Sequence, residues 1–414
     1  MKKTKIRVIL LFCLCCILSG CSNRKDEVVE LTMIHGWGST EPDHIIMRQI
    51  YEDFEKEHPN IHLNLVSMPS SADVINKVGD LLTIGEIPDI VFTGGDGRSS
   101  IYRFMVQKGY ALDLMPYIKE DEVFSNNISP IILDSWSVNE EELYTVSDVI
   151  LMGGYWYNTE IFEQAGVKEV PKTWEEWITA CEKIKQLKEN ITPVILDGNH
   201  ITYLMTSILA DENLKEIDNI KASKMNVNTV TFDNVLEQLR DISKYAVLAG
   251  NYNYRDTLAN FNNGESAIYI NGVWANTMID ENLPVSYAPF PSEDGKGIGT
   301  TSACVGYILG NTEDEKRMEA SVEFLKYMLS EETATKILEQ TGQIPSNPNI
   351  QITEQSGGAR MNQAIECIKN AGLIIETPEN LWDLSEKEEF AENVILFLQN
   401  RITEQEFRKR LSWM

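Results

Sequence analysis

From residue 28 onward the apolar positions first recur with period two: Val29, Leu31 and Met33 are separated by polar Glu30 and Thr32, the pattern of a strand with one covered face. The strand runs into a loop, His35-Gly36-Trp37-Gly38-Ser39. Pro42 suits the first turn of a helix, and Ile46, Ile50 and Phe54 then recur every four residues until His58-Pro59 stops the run. Ile61, Leu63 and Leu65 alternate again as a second strand. A helix with Val74, Val78, Leu81 and Leu82 on one face ends at Gly85, and Ile87-Pro88-Asp89-Ile90-Val91-Phe92 reads as a short buried strand. The order strand, helix, strand, helix, strand predicts a mainly parallel sheet flanked by helices, with any ligand at the carboxyl ends of its strands.

Ile101, Phe104 and Met105 mark a further helix that closes at Gly109. Thr173-Trp174-Glu175-Glu176 has the form of a capping box, and Trp177, Cys181 and Ile184 continue its apolar face into a core. Thr403-Glu404-Gln405-Glu406 repeats that start signal, and helical periodicity dominates from about Glu313 to the end. No internal repeat or low-complexity stretch interrupts this organisation.

The first twenty residues differ from the rest. Lys2, Lys3, Lys5 and Arg7 precede an apolar run from Val8 to Leu18, and Leu18-Ser19-Gly20-Cys21 follows. Charged, apolar and small residues in that order are an export signal, too short for a lasting membrane helix. The ending resembles a bacterial lipobox, in which Cys21 carries a thioether-linked lipid after cleavage; a plain secretory peptide with an incidental cysteine is the alternative. Removing residues 1–20 moves the formal charge from −27 to −31. So acidic a chain repels nucleic acid and anionic headgroups, which leaves acylation to supply any anchor. With Cys21 acylated, Cys181, Cys304 and Cys367 remain, an odd and scattered set that is neither a disulfide framework nor a zinc site. The remaining length exceeds one hydrophobic core.

Three segments together resemble the family 1 extracellular solute-binding proteins, the group that includes maltose-binding protein. They are Phe261-Asn262-Asn263-Gly264-Glu265-Ser266-Ala267-Ile268-Tyr269-Ile270-Asn271-Gly272-Val273-Trp274, Gly85-Glu86-Ile87-Pro88-Asp89-Ile90-Val91, and Tyr157-Asn158 with Phe162, Ala165-Gly166 and Pro171-Lys172-Thr173-Trp174. The resemblance implies a two-lobed α/β fold of the periplasmic-binding-protein type (type II). Each lobe is a mixed, mainly parallel sheet flanked by helices, with the ligand cleft between them. The expected organisation is a signal peptide over 1–20, a tether over 21–27 and an N-terminal lobe over 28–147. The C-terminal lobe follows over 148–267, the N-terminal lobe returns over 268–312, and a helical second part of the C-terminal lobe covers 313–414. The resemblance further implies a monomer without cofactor that closes its lobes on a small solute, a carbohydrate above all, and hands it to ABC permease subunits in the membrane.

A sugar site needs flat aromatic platforms and planar polar groups that bond paired hydroxyls. Trp37, between two glycines, is a candidate platform in the loop after the first strand. Asp96 and Arg98 lie after the third strand, where maltose-binding protein has an Asp-Arg pair, although here Gly97 intervenes. Trp274 is carried over from the family's Gly-x-Trp run, and the preceding Asn271 either bonds a hydroxyl or caps the turn. Tyr155 and Trp156 point to opposite sides of an extended segment, so one of them reaches the cleft, Tyr155 being preferred. Asp148 marks the change of lobe and Trp382 offers a further platform. Two other functions share some of these features. A ligand-sensing protein partnering a membrane sensor kinase would have the same cleft. A secreted carbohydrate-active enzyme would need a carboxylate pair, which is no evidence among 63 acidic residues, and no Gly-x-Ser-x-Gly or His-Glu-x-x-His motif occurs.

Overall fold

The computed structural model describes residues 28–93, 100–139, 141–187, 191–197, 200–221, 224–249, 254–303, 306–377, 382 and 384–411. Strands β1 (Val29–His35), β2 (Ile61–Ser67) and β3 (Ile90–Phe92) are parallel, with Val29 opposite Ile61 and Met33 opposite Ile90. The intervening helices, Pro42–Glu57 and Ser71–Thr83, lay Met47, Ile50, Tyr51 and Phe54, and Val74, Val78 and Leu82, onto that sheet. A small hairpin, β4 (Ser137–Val138) and β5 (Glu142–Leu143), precedes the first departure from this lobe.

The long strand β6 (Val149–Asn158) begins a second, larger sheet. It is joined by β7 (Thr192–Asp197), β8 (Ala246–Ala249), β9 (Ser266–Gly272), β10 (Val285–Ala288) and β11 (Ile298–Ala303). The chain then returns to the first sheet as β12 (Tyr307–Leu309), antiparallel to β3, before β13 (Ile344–Pro345) and β14 (Leu373–Glu376) complete the second. The orders are β12-β3-β1-β2 and β14-β11-β6-β9-β7-β8, with β10 and β13 also paired to β6. Helices cover both faces of the second sheet. Trp177, Leu204, Phe232 and Phe390 belong to the core on one side, and Phe261, Met361 and Ile365 to the core on the other.

Two expected boundaries move. Residues 268–312 do not return together to the first lobe, because β9, β10 and β11 bond within the second sheet and only β12 pairs with β3. Helix Glu315–Met328 belongs to the first lobe, where the Phe324 ring lies 5.5 Å from Tyr51, 5.2 Å from Phe54 and 5.6 Å from Tyr307. Periodicity identifies a strand or helix but not the sheet that receives it, and aromatic packing made that assignment.

The chain therefore crosses between lobes three times among the described residues. Val146 still bridges Tyr307 before β6 begins; Ala303 of β11 leads to Tyr307 of β12; helix Glu331–Thr341 leads to β13, where Ile344 pairs with Ile150. β1 and β3 end at these crossings, and so do β9 and β11, because β6 starts there and both run antiparallel to it. β7 is parallel to β9, and β14 to β11, so their carboxyl ends face the same way. The carboxyl edges of the two sheets thus confront each other across the crossings.

Candidate functional site

On the second lobe this edge is built around two glycines. Gly272, the last residue of β9, is paired with Gly153 of β6. A Cβ on Gly272 would lie 1.7 Å from Cζ3 of Trp274, so the indole occupies the space that a side chain would take. Trp274 sits half-buried in the 3₁₀ turn Val273–Thr277, beside His200 (ring centroids 6.3 Å apart) and Tyr203 (6.2 Å). His200 stands at the start of helix Ile201–Asn213, just beyond β7, and stacks on Tyr203 at 5.8 Å and 20°. Gly153 faces Thr300 of β11, whose hydroxyl is buried without a hydrogen-bond partner among the described residues, and a Cβ there would meet it at 2.2 Å. Trp274 packs above this glycine pair against His200 and Tyr203, which are themselves buried at 7% and 5% exposure, so what this aromatic shelf presents is the apolar face of the half-buried indole.

The turn beneath the shelf is fixed from inside. Asn271 is fully buried: its Oδ1 accepts the Gly272 N–H at 2.7 Å and its amide donates to the Tyr269 hydroxyl. Tyr287 donates to the Asn271 carbonyl at 2.9 Å, and Trp156 Nε1 to the Gly272 carbonyl at 3.0 Å. Asn271 and Trp156 thus hold the Trp274 turn in place and are closed to solvent.

On the first lobe, Trp37 lies beyond β1 at the same edge, but is only 8% exposed. It stacks on Phe92 (5.3 Å, 26°) with His44 edge-on at 4.8 Å, while Arg48 donates to the carbonyls of Trp37 and Ser39. Its position matches the sequence reading and its burial does not, since the flanking glycines let the loop fold back: Gly36 N–H bonds Phe92 and Gly38 N–H bonds Met68. His35 is buried beneath it. Its Nδ1 accepts the Trp37 N–H (3.2 Å), so Nε2 carries the proton donated to Ser67 Oγ (3.0 Å). Burial, then the Arg48 charge, lowers its pKa to about 4 and keeps it neutral.

Asp148 lies within the first crossing, 2% exposed, and Tyr307 donates to its Oδ2 at 2.9 Å. Burial raises its pKa to about 6. It is enclosed by the crossings rather than open to a cleft.

Tyr155 and Trp382 are core residues. Tyr155 is fully buried and stacks on Trp177 at 5.5 Å and 20°; Trp382 is 5% exposed against Phe390 at 5.0 Å. Alternation does send Tyr155 and Trp156 to opposite faces, but both faces are covered and the open edge lies at the strand ends. Asp96, Arg98 and Cys21 lie outside the described residues. His200 and Tyr203 went unread in the sequence, although their place after the carboxyl end of β7 was a usable signal.

Two α/β lobes joined by three crossings, with an aromatic shelf at the confronting edges, define a binding protein that holds a solute between lobes. The chain belongs to the family of bacterial extracellular solute-binding proteins, whose sequence profile matches residues 37–335. It is 25% identical over 313 residues to the multiple sugar-binding protein of Streptococcus mutans, covering 72% of this chain and 70% of that one. It is 26% identical over 196 residues to the melibiose/raffinose/stachyose-binding protein MelE of Bacillus subtilis, covering 46% and 42%. The fold is similar to that of a Streptococcus pneumoniae solute-binding protein solved with the blood group A-trisaccharide: TM-score 0.77, 22% identity, 92% of this chain and 98% of that one. Among the described residues no helix is long and apolar enough to cross a membrane.

Proposed function

We propose that this protein captures a carbohydrate outside the cell by closing its lobes on it, and delivers it intact to an ABC permease. The observation that carries this reading is the half-buried Trp274 on its glycine pair, backed by the buried rings of His200 and Tyr203. The indole offers a flat apolar surface to the C–H face of a sugar ring. The sugars named for relatives in the same family agree with that chemistry. Asp96 and Arg98 are the proposed first-lobe contacts, with Trp37 shaping the opposite rim. The protein works as a monomer held to the membrane by lipid on Cys21, and it performs no chemistry on its cargo.

The test is a thermal-shift screen of the chain lacking residues 1–21 against a panel of oligosaccharides. A ligand at a hundred times its dissociation constant stabilises the folded state by about 2.7 kcal/mol. With the best binder, Trp274→Ala weakens affinity roughly tenfold, as loss of an aromatic platform worth about 1–3 kcal/mol requires. A panel without a binder refutes the carbohydrate reading. Unchanged affinity in the variant removes Trp274 from the site.

A further inference from the structure

All three crossings meet at one buried acid. Asp148 belongs to the first crossing; Tyr307, which donates to its Oδ2, ends the second; and Ser346, just past β13, ends the third and donates its N–H to the Asp148 carbonyl at 2.8 Å. Ser346 Oγ also donates to the Ser147 carbonyl at 2.6 Å. The Tyr307 hydroxyl lies 3.1 Å from that of Tyr51, which carries the chain of contacts into helix Pro42–Glu57. Among the described residues Asp148 Oδ1 is buried and has no hydrogen-bond partner, so the site holds a carboxyl group with one side unsatisfied.

We propose that Asp148 is a proton-operated latch between the lobes: the protonated carboxyl favours the arrangement seen here, and the carboxylate favours one in which the crossings open and water reaches it. The physical cause is the cost of holding a carboxylate away from water without a cation. No described cation contributes to its environment; burial opposes the charge, and only the Tyr307 hydroxyl and the backbone N–H of Asp148 favour it. Among the described residues, the titratable groups around it keep their state between pH 5 and 7.5. Tyr51 and Tyr307 are buried and held well above 10, and His35, packed edge-on against Tyr51 at 5.4 Å with Arg48 beside it, is neutral down to about pH 4. An opened Asp148 returns towards 3.8 from about 6, so protonation shifts the balance of arrangements by up to about a hundredfold.

The inference rests on lobe closure but not on the identity of the solute, so it is tested without one. Small-angle X-ray scattering on the chain lacking residues 1–21, from pH 7.5 to 5, reads the radius of gyration. The expected result is a change of radius on acidification with a midpoint near pH 6 in the wild type. Asp148→Asn holds the low-pH value throughout. Tyr307→Phe, which removes a donor that favours the carboxylate, moves the midpoint to higher pH. A wild-type radius that stays constant on acidification overturns the proposal, as does an Asp148→Asn protein that follows the wild type. If Asp148→Asn does not fold, an unmoved midpoint in Tyr307→Phe has the same force.

Discussion

Gly272→Ala probes the shelf directly, and its effect changes sign with one other residue. Gly272 has φ −81° and ψ 176°, an extended conformation open to any L-residue, so the backbone raises no objection. The three atoms nearest to a Cβ there are all from Trp274, at 1.7, 2.1 and 2.1 Å, closer than any real contact. The indole must leave, at a cost of roughly 1–3 kcal/mol for an overpacked site. Against that, Gly→Ala at a compatible position stabilises by about 0.4–1 kcal/mol through the unfolded chain. The single variant is therefore destabilised by on the order of 1–2 kcal/mol, whereas in a Trp274→Ala background, with the ring gone, the same change stabilises by about 0.4–1 kcal/mol. Urea unfolding of the four members of this cycle measures both values. Equal effects of Gly272→Ala in the two backgrounds would refute the claim that the indole fills the space over this glycine.

Asp148→Asn also gives a stability signature. Because the folded pKa of Asp148 is raised from 3.8 to about 6, the folded chain binds more protons than the unfolded one between those values, and wild-type stability rises as pH falls through that window. Ionised in the arrangement seen here, Asp148 costs up to about 3 kcal/mol near pH 7.5, and opening of the crossings lowers that cost; allowing about 1 kcal/mol for an orphaned amide hydrogen, the variant is more stable there by at most about 2 kcal/mol. That advantage shrinks towards pH 4, and melting curves across the range check it. Arg317→Ala strands the carboxylate of Asp89, 1% exposed, which now accepts from Arg317 at 2.6 Å and from the Thr32 N–H at 2.7 Å. The expected loss is about 3 kcal/mol, and adding Asp89→Asn recovers part of it, since the unpaired charge is what costs.

Much of this architecture is written locally. The alternation in Val29–Met33 and Ile61–Leu65 and the four-residue spacing of Ile46, Ile50 and Phe54 fall on β1, β2 and the first described helix. The boxes at Thr173 and Thr403 each cap a helix with both reciprocal hydrogen bonds formed. Period and capping depend on neighbours within four residues, so a single sequence displays them.

What the sequence by itself determined, then, is the kind and order of the elements up to Gly109, the parallel pairing of β1 to β3 and the family that its ordered motifs resemble. Which lobe receives β9 to β11, and why helix Glu315–Met328 goes to the other, was decided by pairing with β6 and by Phe324 packing among Tyr51, Phe54 and Tyr307. The candidate site divides the same way. Gly272 beside Trp274 is visible in the sequence as a glycine next to a bulky ring, while the burial of Trp37 against Phe92, of Tyr155 against Trp177 and of Trp382 against Phe390 depends on how the elements pack together. The assembly of His200, Tyr203 and Trp274 is equally a tertiary fact, because β7 and β9 end at the same edge only once they are hydrogen-bonded side by side. Local order follows from near neighbours along the chain; exposure at a cleft is set by which elements pack together, and no local pattern records that packing.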